Sequence, residues 1–255
     1  MNYIVSATTD IGISKKTNQD SMNVKVMTIN GEKLVLAVLC DGMGGLEKGE
    51  VASATVIKAF HDWTVNVLPG LYVNGLTEDA IRQQWTDLIV SCNEKIKLYG
   101  KRSAISLGTT ITALLLAKGR YYVVNVGDSR TYEIYTGADS ITKDQTVVAR
   151  EVELGILTEE QAMTDSRRSV LLQCIGASEV VYPEFFFGDE KKDAVYMLCS
   201  DGFRHEISPE ELYAYFHPSR MTDADAMKQN ELALIELNKQ RMERDNISVI
   251  TIRTF

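Results

Sequence analysis

At 255 residues, with 45% hydrophobic and 24% charged side chains, the chain can bury a substantial core, which excludes a disordered polypeptide. A formal net charge of −8 argues against a nucleic-acid surface, because phosphate backbones select clustered Lys and Arg and the basic residues here are dispersed. No stretch reaches the roughly eighteen consecutive apolar residues of a membrane span, and the opening MNYIVSATTDIG has no basic start before a long apolar run, so a soluble cytoplasmic protein is expected.

Taken in chain order, YIVSATTDIG from Tyr3, SMNVKVMTI from Ser21 and KLVLAVLCD from Lys33 are rich in β-branched and apolar residues and predict strands. Asn30-Gly31 joins the second and third as a tight hairpin. Apolar residues at every third or fourth place predict a helix over EVASATVIKAFHDWTVNVL from Glu50, and a second opens at the Thr77 cap of TEDAIRQQ. TTITALLLAKGRYYVVNVGDSRTYEIY from Thr109 predicts further strands, with Lys118-Gly119 as a hairpin turn, and AVYMLCSDG from Ala194 predicts another. SPEELYAYF begins with Ser208 as cap, Pro209 in the first turn and Glu211 at the capping-box position; DADAMKQNELALIELNKQR follows as its helical partner, and ISVITIRTF closes the chain as a strand. Strands joined by hairpins, with helices arriving in pairs, favour an α+β architecture over a βαβ repeat. With four prolines and no low-complexity linker, one domain over residues 1–255 is expected. Cys40, Cys92, Cys174 and Cys199 form no CxxC pair and read as buried, reduced thiols.

An Asp recurs at the strand edges: Asp41 after LVLAVLC, Asp128 after YYVVNVG, Asp201 after VYMLCS, Asp245 just before ISVITIRTF and Asp20 just before Ser21. Any one alone reads as a turn residue capping backbone donors. Several converging on one edge would repel each other unless hard divalent cations neutralised them. Gly42, Gly44 and Gly45 would let the backbone after Asp41 turn with positive φ and bring a main-chain carbonyl to an ion. The three histidines form no HExxH pair and there is no phosphate-binding GxxxxGK loop, so oxygen-rich binding of Mg²⁺ or Mn²⁺ is the chemistry that remains. Two such ions can hold a phosphate, activate a water and stabilise in-line displacement at phosphorus.

NQD at 18–20, CDGMGG at 40–45, GTT at 108–110, VGDSR at 126–130, ITKDQT at 141–146, LLQCIG at 171–176, CSDGF at 199–203 and RDN at 244–246 stand in this order along nearly the whole chain. In that order they resemble the metal-dependent Ser/Thr protein phosphatases of type 2C, the PPM family, in its bacterial stand-alone form. The resemblance implies a four-layer α-β-β-α sandwich of two mainly antiparallel sheets flanked by helix pairs. It also implies hydrolysis of phosphoserine and phosphothreonine by direct attack of a metal-bridging hydroxide. The implied cofactors are two Mn²⁺ or Mg²⁺ ions with a weaker third. Asp41 resembles the bridging carboxylate and Gly42 the residue lending its carbonyl; Asp201 and Asp245 match the remaining ligands of one ion, Asp20 an acid of the second ion's shell and Asp128 a ligand of the third. Residues 146–170 resemble the flap beside the cleft, with substrate choice as the implied role. The implied partners are a phosphorylated protein substrate and an opposing Ser/Thr kinase, with no nucleic acid, no membrane and a monomeric state.

The chain departs from the pattern at four places. Lys15, with Lys16 beside it, stands where an Arg commonly grips the substrate phosphate, and a lysine binds as a point charge without the bidentate fork. Met43 replaces the His of the eukaryotic form, and Gln19 replaces a frequent Glu. His205 stands where an Asp often helps hold the third ion, and is a candidate proton donor. Lys15 and Gln19 keep open a second reading, a phosphoprotein-binding module without turnover; retention of Asp41, Asp201 and Asp245 favours the enzyme.

Overall fold

The computed structural model describes residues 1–43 and 48–255; Gly44 and Gly45, for which a positive-φ turn is expected, lie outside the described residues. Its first half contains β1 (Tyr3–Asp10), β2 (Ser21–Ile29), β3 (Glu32–Cys40), β4 (Gly42–Met43), α1 (Gly49–Asn66), α2 (Leu68–Gly75), α3 (Glu78–Ser103), β5 (Gly108–Thr109), β6 (Ile111–Ala117) and β7 (Arg120–Val126). There follow β8 (Arg130–Ile134), β9 (Ala138–Ser140), α4 (Val147–Glu153), α5 (Glu159–Thr164), β10 (Glu184–Asp189), β11 (Val195–Cys199), α6 (Asp201–Arg204), α7 (Pro209–Phe216), α8 (Ala224–Gln240) and β12 (Ile247–Thr254).

The strands form two five-stranded sheets, ordered β1-β12-β11-β8-β9 and β10-β7-β6-β3-β2, with a short β4-β5 ribbon. All pairings among the described residues are antiparallel. Alternation along each strand sorts side chains into layers. Val35, Ala37 and Leu39 of β3 pack with Leu114, Tyr196, Leu198, Ile250 and Ile252 between the two sheets. Leu34, Leu36 and Val38 pack with Phe60, Trp63, Trp85 and Ile89 of α1 and α3. On the other side, Val195, Met197 and Cys199 meet Leu212 and Phe216 of α7 and Leu234 and Ile235 of α8. The result is the α-β-β-α sandwich expected from the resemblance.

Local chemistry accounts for the joints. Asn30 (φ 53°) with Gly31 (φ 81°), and Lys118 (φ 54°) with Gly119 (φ 71°), place both central residues in the left-handed region that a two-residue hairpin requires. Thr77 accepts from the Ala80 N–H, and Ser208 and Glu211 close a reciprocal capping box. The helix expected to run through Leu68 ends at Asn66, and a new one starts with Pro69 in its first turn. β10, which sequence periodicity does not announce, adds to the edge at β7 through EFFFGD, a run without regular alternation. Residues 146–170 hold α4 and α5, each opened by a threonine cap at Thr146 and Thr158. Cys40, Cys92, Cys174 and Cys199 are free and buried. Among the described residues no helix is long and apolar enough to cross a membrane.

Candidate metal centre

Strand register brings the acidic strand ends to one rim of the sandwich. Ser21 pairs with Cys40, so Asp20 and Asp41 leave neighbouring strands side by side. Cys199 pairs with Val249 and the Ser200 N–H donates to the Ser248 carbonyl (3.0 Å), which sets Asp201 close to the Asp245-Asn246 approach to β12. Ile111 pairs with Val126, so the turn carrying Asp128 lies next to Thr110.

The backbone of Asp41 is pinned by the threonines of GTT. Its N–H donates to Thr110 Oγ1 (3.0 Å), and its carbonyl accepts from the Thr110 N–H (2.9 Å) and from Thr109 Oγ1 (2.9 Å). Thr110 Oγ1 and Ser129 Oγ, 2.8 Å apart, connect this pin to the GDSR turn. That turn requires glycine at 127, where φ is 103° and a Cβ would strike Thr110.

Gly42 is also obligatory, though not for the reason expected from the sequence. It has no positive φ; it pairs with Thr109 as extended backbone, and a Cβ there would fall on the Gln19 and Gly49 carbonyl oxygens. The constraint is backbone packed on backbone. Gln19, buried at 8% exposure, is part of the same joint: its N–H donates to Asn246 Oδ1 (2.9 Å) and its carbonyl accepts from Ser53 Oγ (2.6 Å). Asn246 Nδ2 also donates to the Ile11 carbonyl (3.0 Å), so the RDN asparagine fastens the loop before Asp20 to the start of β12. The place of RDN before β12 announces Asp245 in the sequence, whereas the role of Asn246 rests on tertiary bonds that spacing does not show.

The carboxylates share one field. Burial first, and then Asp20, Asp201, Asp245 and Asp128, push the Asp41 carboxyl well above the usual range. Burial and the charges of Asp201 and Asp245 push Asp20 up to about 7 against a hydrogen bond from Ser248 Oγ (2.5 Å). Burial and Asp201 raise Asp128 to about 7 as well, with Arg204 and His205 opposing. Asp20 Oδ1 and Asp201 Oδ1 are buried without a hydrogen-bond partner. Buried carboxylate oxygens are not ordinarily left so. Among the described residues no three His, Cys, Asp or Glu side chains stand as a closed ligand group. What the fold supplies is a rim of neighbouring acids with free oxygens, a donor set that fits a hard divalent cation.

Lys15 and His205 border this rim. Lys15 Nζ lies 2.7 Å from Asp245 Oδ1; burial would lower its pKa, but that bond and the charges of Asp245, Asp41 and Asp201 hold it above the usual range. Lys16 is exposed. His205 has Nε2 3.8 Å from Asp201 Oδ2 and Nδ1 3.6 Å from Glu243 Oε2. Glu243 Oε1 in turn accepts the N–H groups of Arg244 (2.6 Å) and Asp245 (2.9 Å), shaping the approach to Asp245. Met43 is half-buried and pairs with Gly108.

Residues 13–235 match the model of the family described as Protein phosphatase 2C. The chain belongs to the protein phosphatase 2C family. The serine/threonine protein phosphatase PstP of Mycobacterium tuberculosis is 31% identical over 96% of this chain; the chain spans 44% of that relative's length. The solved S. agalactiae serine/threonine phosphatase superposes with a TM-score of 0.86 at 27% identity, covering 100% of both chains. The catalytic domain of PstP solved in complex with 2 manganese ions gives a TM-score of 0.78 at 26% identity over 99% of each chain. Within this 2C fold, the landmarks GTT, VGDSR and RDN are where hydroxyl, glycine and amide groups pin the loops that carry Asp41, Asp128 and Asp245.

Proposed function

We propose that the chain is a metal-dependent serine/threonine phosphoprotein phosphatase that hydrolyses phosphoserine and phosphothreonine in opposition to a Ser/Thr kinase. The observation carrying this reading is the pair of buried, unpartnered oxygens, Asp20 Oδ1 and Asp201 Oδ1, beside Asp41 in a 2C-family chain. Asp20, Asp41, Asp201, Asp245 and the Gly42 carbonyl would hold two Mn²⁺ or Mg²⁺ ions, the number bound by the PstP catalytic domain. When bound, such ions supply Lewis-acid stabilisation of the phosphoryl oxygens and activate water for in-line attack. The chain's own groups position the rest. Thr109 and Thr110 fix the Asp41 backbone, Asn246 fixes the Asp20 and Asp245 loops, and Lys15 offers an ammonium to the substrate phosphate. The flap at 146–170, closed at its base where the Leu172 N–H donates to the Gln145 carbonyl (2.8 Å), would contact the protein around the phosphoresidue. Four free, buried thiols support a reducing, cytoplasmic setting.

Purified protein should release phosphate from a phosphothreonine peptide only with Mn²⁺ or Mg²⁺, and Asp201→Asn should abolish that release. Metal-independent turnover would overturn the reading. Metal binding without turnover would instead identify a phosphoprotein-binding module and direct attention to Lys15 and Gln19.

A further inference from the structure

Arg204 ends α6, three residues after Asp201, with its side chain only 10% exposed. One of its nitrogens, Nη2, donates to the Asp128 carbonyl (3.0 Å) and to Asp144 Oδ2 (2.8 Å), while Nε is buried without a partner. Asp144 is gripped from its other side by Arg130, whose Nε and Nη2 reach its two oxygens at 2.6 and 2.8 Å. Burial would raise Asp144, but Arg204 and Arg130 hold it below the usual carboxylate range. Two guanidiniums on one carboxylate leave a surplus positive charge, and the bond of Arg204 to the Asp128 main-chain carbonyl holds that surplus at the Asp128 turn.

We propose that Arg204 is a tethered counter-cation for Asp128, so that divalent ions gather at Asp20, Asp41, Asp201 and Asp245 while the Asp128 corner takes none. The identity of the ions rests on the phosphatase reading; the partnership of Arg204 with Asp128 does not. A guanidinium already bonded in place at the Asp128 main chain offsets part of what burial costs the Asp128 carboxylate, without recruiting an ion. A divalent cation brought to the same corner would face the repulsion of the guanidinium. The clamp is built to keep Arg204 there. Asp144 precedes Gln145, whose N–H donates to the Gly127 carbonyl (3.1 Å) and whose Oε1 accepts from the Gly127 N–H (2.8 Å), so the Asp128 turn and the clamp are one bonded unit. Arg204 is a positioning residue in this account, acting through Asp128 and the charge of the rim. The third ion implied by family resemblance is therefore not expected here.

Mn²⁺ stoichiometry, measured by native mass spectrometry and titration calorimetry, tests the proposal. Wild type and Asp128→Asn should bind the same number of ions, with affinities within about threefold. Arg204→Met should admit one more ion at millimolar Mn²⁺, and the double variant should return to the wild-type number. Loss of an ion in Asp128→Asn alone would overturn the proposal. A metal-free readout separates it from the phosphatase reading. In chelator, Arg204→Met should lower the Tm by about 5 °C, and Asp128→Asn made in that background should recover part of the loss. Strictly additive shifts would refute the partnership even if no Mn²⁺ bound, an outcome that would separately sink the phosphatase reading.

Discussion

Glu231 and Asp201 are both buried carboxylates, and the fold treats them in opposite ways. Glu231, at 0% exposure, accepts from Ser6 Oγ (2.8 Å), Thr8 Oγ1 (2.5 Å) and Thr251 Oγ1 (2.6 Å), so strands β1 and β12 furnish donors to both its oxygens. Asp201, at 8%, keeps one oxygen without a partner and adds its charge to the field on Asp20, Asp41 and Asp128. A carboxylate supplied with hydroxyls by its own fold locks α8 onto a sheet. One left with a free oxygen among other acids needs a cation from outside the chain.

The largest test of that contrast is Asp41→Asn. Phosphatase turnover with Mn²⁺ should fall by about a thousandfold or more, since the acid at the centre of the rim is lost. In chelator the same variant should melt no lower than wild type, because neutralising Asp41 relieves repulsion from Asp20, Asp201, Asp245 and Asp128. A loss of turnover smaller than tenfold would erase the distinction between the two kinds of acid. Glu231→Ala should behave in reverse. Urea unfolding should show a loss of about 3 kcal/mol, from hydroxyls stripped of their acceptor and a buried network broken, with Mn²⁺ affinity within about twofold. A shifted Mn²⁺ affinity with unchanged stability would show that Glu231 belongs to the site.

A pH titration of the chelated protein sharpens the same comparison with a moderate effect. Burial and like charges place Asp20 and Asp128 at about 7 and Asp41 well above its usual range. Raised folded-state values mean that their protonated forms favour the native state. That contribution is complete below the unfolded carboxylate range near pH 4 and is lost as pH rises through about 7. The chelated protein should therefore melt lower at pH 8 than at pH 5, and Mn²⁺ should narrow the gap by binding the ionised form. Equal melting temperatures in chelator at both values would mean that these acids do not share a field.

Much of this arrangement is legible in the sequence because strand, turn and acid follow in fixed order. An apolar run such as LVLAVLC has to be a buried strand, and the Asp after it has to emerge where the strand ends. Asn30-Gly31, Lys118-Gly119, Thr77 and Ser208 announce themselves by backbone chemistry alone. What periodicity cannot show is tertiary pairing. Asn246 gains its importance by bonding residues more than two hundred positions away, and Gly42 is required by the approach of Gln19 and Gly49 rather than by its own φ. Arg130 and Asp144 lie inside VGDSR and ITKDQT and Arg204 one residue past CSDGF, yet the clamp exists only once the fold sets Asp144 between the two arginines. β10 shows no polar–apolar alternation because both its faces meet apolar layers, Phe185 and Phe187 on the helix-side core and Phe186 between the sheets.

The smallest expected effect concerns Lys15, whose bond to Asp245 is the rim's one lysine ion pair among the described residues. With side chains 32% and 38% exposed, this pair is partly screened and is worth no more than about 1 kcal/mol, so Lys15 can exchange Asp245 for a substrate phosphate at little cost. An ammonium offers phosphate a point charge, whereas a guanidinium offers two parallel donors. Lys15→Arg should therefore lower KM for a phosphothreonine peptide by about threefold and leave kcat within about twofold, and Lys15→Met should raise KM by about tenfold. This pattern signifies binding shared equally by substrate and transition state. If kcat moved while KM stayed fixed, Lys15 would act through the carboxylate it touches, and Asp245 would join Asp128 as an acid whose behaviour is set by a resident cation of the chain.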